Sequence, residues 1–239
     1  MALAARKLVD FSGPHGWDRS ATALGRLELL ADSGCEGVAA AQRQVLPLVE
    51  LRADFNVSRA ELAAGDRGAA DVDLASLDEA ARRIAQAENS AVFNGLKAAR
   101  IAGAAEASTH SPIKLDDDYD NYPRQAAKAV EALRQAGIDG PYGIALGPDD
   151  YTGVIETTEH GGYPVLDHLH KILGGEIVWA PGVKGAVVLS VRGDDFLFES
   201  GQDLSIGYDH HDADTVHLYL EESFSFRVAT PEAAVALTP

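Results

Sequence analysis

The sequence has 239 residues, of which 46% are hydrophobic and 24% charged, and its formal net charge is −17. A surface this acidic repels the phosphates of nucleic acids and of anionic lipids, so binding to DNA, RNA or a membrane surface is not expected. No apolar run reaches the ~18 residues that a membrane-spanning helix needs, and no signal-peptide pattern follows Met1, so a cytoplasmic protein is expected. Cys35 is the single cysteine, which excludes a disulfide within the chain.

The first predicted elements are two extended arms, residues 24–30 and 45–57, joined by a turn-rich segment around Gly34. In the second arm, apolar residues such as Leu51 and Phe55 alternate with polar ones, the period of two that is typical of a strand. The arms therefore predict a long hairpin. Because a two-stranded ribbon is marginal in water, it needs the core of its own chain or another copy of the chain to cover it.

The most regular helical pattern begins near Ser76. Ser76 and Glu79 have the spacing of a capping box, in which the two side chains satisfy free backbone amides of the first turn. Apolar residues follow mostly at steps of three and four, and Gly95 or Gly103 is the predicted end of the helix. Residues 104–121 are predicted to form a loop.

The second half of the chain alternates helices with strands and then becomes rich in strands. Further helices are predicted over residues 126–133, 148–156 and 165–173, and strands over 141–146, 176–180, 185–191, 196–199, 204–208 and 215–228. This pattern, together with the early arms, predicts an α+β protein.

Motifs that carry enzyme chemistry are missing from the sequence. There is no phosphate-binding loop, dinucleotide fingerprint or nucleophile elbow, so we predict no catalytic residue and no cofactor. Residues 209–214 combine aspartate and histidine, but adjacent histidines diverge, so a polar turn is favoured over a metal site. Residues 116–120 lack the glycine and closing glutamate of a calcium loop. His160, His168 and His170 leave open a loop whose charge changes with pH, although surface histidines without a role are commoner.

Several stretches, in order along nearly the whole chain, resemble the encapsulins, the linocin-type shell proteins of bacterial compartments. The most specific are GQDLSIGY at residues 201–208 and ESFSF at residues 222–226. The others are RKLVD at 6–10, GPHGW at 13–17, LPLVELR at 46–52, AENSAVFNG at 87–95 and GIDGPY at 137–142.

The resemblance implies the α+β fold of tailed-phage major capsid proteins. In such a fold, residues 1–23, 59–120 and 203–239 are expected to form a peripheral domain, residues 24–58 an extended loop, and residues 121–202 an axial domain. The implied function is structural and not enzymatic. Copies of the chain self-assemble into a closed icosahedral shell, a virus-like particle that encloses a cargo enzyme.

The family's cargos are peroxidases or ferritin-like proteins that oxidise and store iron, and each is held through its own C-terminal targeting peptide. Small ions and substrates pass through pores in the shell. The resemblance assigns five residues to the fivefold pore loop: Glu159, His160, Gly161, Gly162 and Tyr163. It assigns three to the groove that binds the cargo peptide: Arg6, Asp10 and Phe226.

Three departures from the family are visible in the sequence, and one is that the pore turn carries two glycines, Gly161 and Gly162, where relatives often have one. Where some relatives stack a flavin on a tryptophan, this chain has Ala60, so no flavin is expected. Relatives also carry a helical segment ahead of the match at Arg6, so an N-terminally truncated chain is expected.

Two alternative functions stay open. One is a phage capsid subunit with the same fold. The other, less favoured, is a bacteriocin or peptidase, for which the sequence offers neither a nucleophile motif nor an export signal.

Overall fold

The computed structural model describes residues 3–116, 118–159 and 161–239, which form twelve strands and six α-helices. The strands are β1 (Asp10–Ser12), β2 (Ala21–Leu29), β3 (Ala41–Pro47), β4 (Val49–Ser58), β5 (Ile113–Lys114), β6 (Tyr142–Leu146), β7 (Gly174–Trp179), β8 (Ala186–Ser190), β9 (Phe196–Ser200), β10 (Ser205–His211), β11 (Thr215–Val228) and β12 (Ala234–Thr238). The helices are α1 (Arg59–Asp66), α2 (Ala75–Asn94), α3 (Ala104–Ala107), α4 (Tyr122–Gln135), α5 (Pro148–Glu156) and α6 (Val165–Leu173). A short 3-10 turn, Ala5–Lys7, precedes β1.

The first sheet is built around the long strand β11. One edge of β11 pairs antiparallel with β4 over ten residue pairs, from Thr215 opposite Ser58 to Phe224 opposite Val49. Its other edge pairs with β10 and then with β9, which in turn pairs parallel with β1. The helix α2 packs on this sheet and buries an apolar cluster made of Phe55, Val57, Ala80, Ile84 and Leu220.

The second sheet has the strand order β5-β12-β8-β6-β7. Every residue of β6 and β8 is buried, as expected of inner strands that helices cover. The helices α4, α5 and α6 pack beside this sheet and contribute Leu133, Val154 and Leu169 to the main core. The largest part of the core therefore lies in the middle and last thirds of the chain.

The predicted hairpin is correct for its first arm and wrong for part of its second. The structure divides residues 45–57 at Leu48: β3 pairs with β2, whereas β4 leaves the hairpin and pairs with β11. The alternation that predicted a strand is present, because Phe55 and Val57 face α2 and are buried. Strand alternation shows which residues share a face but not which partner strand is paired, so the sequence did not reveal the change of partner.

The start of α2 differs from the predicted capping box. The helix begins at Ala75, and the Asp73 carboxylate accepts the Ala75 amide at 3.0 Å. The Ser76 hydroxyl instead donates to the carbonyl of Asn56 in β4. A tertiary contact thus takes the serine away from its local partner. The predicted stop at Gly95 is confirmed, since Gly95 follows the last helical residue with a φ of 92°.

Several further elements, among them α1, α3 and β12, were not predicted. The helix α1 has no buried residue and hence no apolar stripe, although the Ser58 hydroxyl caps it by accepting the Ala60 amide at 3.2 Å. The short helix α3 lies in the segment predicted as a loop. The strand β12 is too short to show a clear period, yet it lies between β5 and β8. In contrast, the predicted ranges of α5, α6 and β11 match the structure.

Sheet pairing joins segments from both sides of the expected domain boundaries. β9 pairs with β11 in the first sheet, and β12 pairs with β8 in the second. The division into peripheral domain, extended loop and axial domain stays a prediction. Across the part of the chain that the structure describes, none of the helices has the length and apolar character to cross a membrane.

Candidate assembly ribbon, pore loop and cargo groove

The strands β2 and β3 form a two-stranded ribbon, residues 21–47, that pairs with no other strand among the described residues. Its register runs from Ala21 opposite Pro47 to Leu29 opposite Ala41, with an irregularity between Ala23 and Leu27. Most of the ribbon is exposed, and it carries apolar side chains that a monomer would leave in water. They are Leu27 (66% exposed), Leu29 (79%), Leu30 (47%), Val38 (58%) and Val45 (50%).

The root of the ribbon is fastened to the first sheet by polar contacts. The Thr22 and Ser225 hydroxyls share a hydrogen bond of 2.6 Å, and Thr22 also donates to Glu199 at 2.9 Å. Arg19 donates to the same Glu199 carboxylate at 2.8 Å. The base of the ribbon therefore has a fixed direction, while its outer part projects away from the core.

The segment predicted to line a pore is a tight turn between α5 and α6. The Glu159 amide donates to the Tyr163 carbonyl at 2.8 Å, and the Gly162 amide donates to the Glu159 carbonyl at 2.8 Å. Gly161 and Gly162 have φ values of 113° and 80°, a region that favours glycine. The predicted pore residue His160 lies outside the described residues.

Side chains of α6 hold this turn from one side. His168 Nδ1 lies 2.7 Å from Glu159 Oε1. The Tyr163 ring meets the His168 ring edge-on, with centroids 6.2 Å apart, and Lys171 Nζ lies 4.7 Å from the Tyr163 centroid. The turn thus carries a carboxylate and an aromatic ring whose positions depend on two residues of the neighbouring helix.

The predicted groove residue Arg6 lies at the centre of a carboxylate cluster. Its Nε donates to Glu88 Oε2 at 2.7 Å, its Nη2 to Glu222 Oε2 at 2.7 Å and its Nη1 to Asp203 Oδ1 at 2.6 Å. The rings of Phe11 and Phe198 lie beside the guanidinium, at 5.0 and 5.4 Å from centroid to Cζ. The Glu88 and Glu222 side chains are buried, whereas the Asp203 side chain is 45% exposed.

The electrostatics of this cluster are set by burial. Desolvation, followed by the charge of Glu88, raises the pKa of Glu222 to about 9. Desolvation also raises the pKa of Glu88, against the hydrogen bond and charge of Arg6. Desolvation opposes ionisation of Asp203 as well, but the bonds from Arg6 and the Leu204 amide outweigh it and lower the pKa of Asp203.

Among the described residues, neither of the other two predicted groove residues forms a hydrogen bond or ion pair with Arg6. Asp10 is exposed, and its Oδ2 accepts the Asp194 amide at 2.7 Å. Phe226 is 1% exposed and lies in the main core, so in the described chain its ring does not reach the surface. Of the three predicted groove residues, Asp10 is therefore exposed, Arg6 is partly buried and Phe226 is fully buried.

Sequence reasoning did not single out Glu88 and Glu222. Both could have been found from the sequence, because each occupies a position that the periodicity of its helix or strand assigns to the core. Glu88 lies four residues after Ile84 and four before Val92 on α2, and Glu222 continues the alternation of Leu218 and Leu220 on β11. A charged residue at a core position of either pattern indicates a buried ion pair or a shared proton.

The histidine- and aspartate-rich residues 209–214 form the end of the β10–β11 hairpin. The rings of His210 and His217 stack with centroids 4.1 Å apart. His210 contacts Asp209 at 2.9 Å, and His217 contacts Asp212 at 3.4 Å. Over the described residues, no three histidine, cysteine, aspartate or glutamate side chains are grouped so as to hold a metal ion.

Solved structures share this fold along the length of the chain. A virus-like particle from Pyrococcus furiosus aligns over 96% of this chain and 89% of its own, with a TM-score of 0.62 and 20% identity. The capsid of the Myoviridae phage XM1 aligns over 100% and 92%, with a TM-score of 0.60 and 10% identity. The class of the protein is therefore that of the tailed-phage capsid fold, and the predicted α+β capsid-like fold is confirmed.

Sequence relatives narrow this class. Residues 1–225 match the family described as encapsulating protein for peroxidase. The type 1 encapsulin shell protein of Rhodospirillum rubrum is 49% identical over 99% of this chain and 86% of its own length. That of Mycolicibacterium paratuberculosis is 46% identical over 99% and 88%. The chain belongs to the encapsulin shell proteins, which confirms the resemblance read from the sequence.

Proposed function

We propose that this chain is a structural subunit that assembles with copies of itself into a closed icosahedral compartment enclosing a cargo enzyme. The observation that carries the proposal is the β2–β3 ribbon, whose exposed leucines and valines have no covering layer in the described chain. Burial of apolar surface is the main favourable term in association. A neighbouring copy that covers the ribbon supplies that burial.

Family membership supports the closed shell and the cargo. The matching family is described as encapsulating a peroxidase, and the curated relatives are named shell proteins. A peroxidase is therefore the first cargo class to test, and a ferritin-like protein the second. We assign recognition to a C-terminal targeting peptide of the cargo, bound near Arg6 and Asp10.

We further propose that the turn between α5 and α6 lines a pore around the fivefold axis. Gly161, Gly162 and Tyr163 are exposed, and two glycines with positive φ suit a loop that copies of the chain bring together around an axis. Glu159 would give the opening a negative charge that attracts cations. A phage capsid subunit has the same fold, but identities of 41–49% to encapsulin shell proteins favour the compartment.

The test is to place a charge on the ribbon and measure the mass of the particles. We expect the double variant Leu27→Asp and Leu29→Asp to remain folded, because both side chains are exposed in the chain. Two carboxylates at a covered interface lack partners, so we expect the assembly to break down into small oligomers or monomers. Native mass spectrometry with circular dichroism separates loss of assembly from loss of fold.

The matched control replaces the same residues by methionine, which retains their apolar surface. We expect the Leu27→Met, Leu29→Met variant to form particles of the wild-type mass. Particles of unchanged mass in the aspartate variant would contradict the role of the ribbon. A wild-type chain that stays monomeric at all concentrations tested would contradict the proposed function as a whole.

A further inference from the structure

A cluster of one cation and three carboxylates joins four separate pieces of the chain. Arg6 comes from the turn Ala5–Lys7, Glu88 from α2, Asp203 from the loop between β9 and β10, and Glu222 from β11. The side chains of both glutamates are buried, with exposures of 0% for Glu88 and 1% for Glu222. Asp203, at 45% exposure, connects the cluster to solvent.

The buried part of the cluster, Arg6 with Glu88 and Glu222, is neutral only if one proton is added. Among the described residues, the charged groups that face Glu222 are Glu88, Arg6 and Asp203. Arg6 supplies one positive charge against three carboxylates, and Asp203 faces solvent and stays ionised. If both glutamates were ionised, two buried like charges would share one guanidinium, which is strongly unfavourable because burial removes them from solvent.

Carboxylate oxygens of the two glutamates that lack a hydrogen-bond partner among the described residues also indicate a bound proton. Arg6 Nη2 lies 2.7 Å from both Glu88 Oε2 and Glu222 Oε2, so the two carboxylates adjoin each other. In each, Oε2 accepts from Arg6, while Oε1 is buried and has no hydrogen-bond partner among the described residues. A proton held between the two carboxylates supplies the donor that this pair lacks.

We propose that Arg6, Glu88 and Glu222 form a proton-operated lock, in which one shared proton holds α2 and the Ala5–Lys7 turn against β11. When alkaline solution removes that proton, it passes to water on the Asp203 side, and two negative charges face each other beneath Arg6. Their repulsion loosens the contact between α2 and the sheet. The lock is a property of the subunit itself, and so it goes beyond the proposed shell function.

The direction of the pH effect follows from the folded and unfolded states. The pKa of Glu222 is about 9 in the folded chain against an ordinary value of 4.5. Between these values the folded chain holds a proton that the unfolded chain does not. The stabilisation from this group is therefore complete below pH 4.5 and is lost as the pH rises to about 9.

Infrared spectroscopy of the assembled protein detects the proton directly. We expect the C=O stretch of a protonated carboxylic acid at neutral pH, with a component that disappears in Glu222→Gln and titrates near pH 9 in the wild type. Glu88→Gln should remove the same component, because the proton belongs to the pair. The exposed Glu79 on the same helix provides the control, and Glu79→Gln should leave the band unchanged.

Hydrogen exchange then tests whether the proton acts as a lock. After correction for intrinsic exchange, we expect amide protection in α2 and in residues 5–9 to fall by about tenfold or more as the pH rises toward the titration midpoint, and to level off above it. Glu222→Gln should keep its protection across the same range. If neither glutamine variant changes the acid band, or if wild-type protection does not change through the titration, the proposal is overturned.

Discussion

At the scale of single residues, the turn between α5 and α6 is contacted by side chains outside it, and His168 contacts two of its residues. His168 reaches back from α6 to Glu159 at 2.7 Å and packs edge-on against Tyr163. The backbone bonds of the turn join Glu159 with Gly162 and Tyr163. With two glycines in left-handed conformations, the turn has little stiffness of its own, so His168 restricts it.

We therefore predict that His168→Leu loosens the turn without unfolding the chain. Amide protection of Glu159 and Gly162 should fall by about three- to tenfold, because opening the turn no longer breaks the Glu159 contact. Hydrogen exchange with mass spectrometry measures this. His170→Leu is the control, since His170 is exposed on the same helix. Equal protection in wild type and His168→Leu would show that the turn is rigid without the histidine.

Individual residues of the candidate site show how much of it could be predicted from the sequence. Arg6 and Asp10 were found only through their resemblance to a family, and the structure leaves their role in a cargo groove untested. Glu88 was within reach of sequence reasoning, because it lies on the apolar face of α2. The partners of Glu88 could not be predicted from the sequence, because Arg6 is 82 residues away from it and Glu222 is more than a hundred residues away.

At the scale of elements, neighbouring strands β3 and β4 differ in what covers them. The two strands are separated by Leu48 alone, yet β4 lies under α2 and β3 stands in the exposed ribbon. Apolar and polar residues alternate over residues 49–57, and the apolar residues 45–48 precede them without a break, so the sequence alone predicted one strand. The long edge of β11 explains why β4 leaves the ribbon, because β4 forms ten residue pairs with it. Local periodicity correctly predicted the range of α6. The same local pattern assigned β4 to the wrong partner strand, because it carries no information about pairing.

This difference in burial predicts that two apolar truncations affect different properties, one the stability of the subunit and the other its assembly. Phe55→Ala removes a ring that is 4% exposed and should lower the free energy of unfolding by about 3–5 kcal/mol. Leu29→Ala removes a side chain that is 79% exposed and should change subunit stability by less than about 0.5 kcal/mol, while weakening the assembly. Denaturant unfolding of dissociated subunits and native mass spectrometry measure the two effects. A large loss of subunit stability in Leu29→Ala would mean that the ribbon packs on its own chain.

At the scale of the whole molecule, the fold contains more apolar surface than one copy covers. The two five-stranded sheets with their helices form a closed core, while the ribbon of residues 21–47 lies outside it. A net charge of −17 on each copy opposes association, so the contacts between copies must outweigh this repulsion. Neither composition nor periodicity indicates a shell. The capsid-like fold and the relatives provide that conclusion.

The most direct measurement is electron cryo-microscopy of the purified protein at near-physiological salt. We expect closed icosahedral particles in which the β2–β3 ribbon of each copy lies across a neighbouring copy, with Leu27 and Leu29 buried at the contact. Isolated subunits whose residues 21–47 fold back onto their own sheets would contradict this expectation, because the ribbon would then need no second copy.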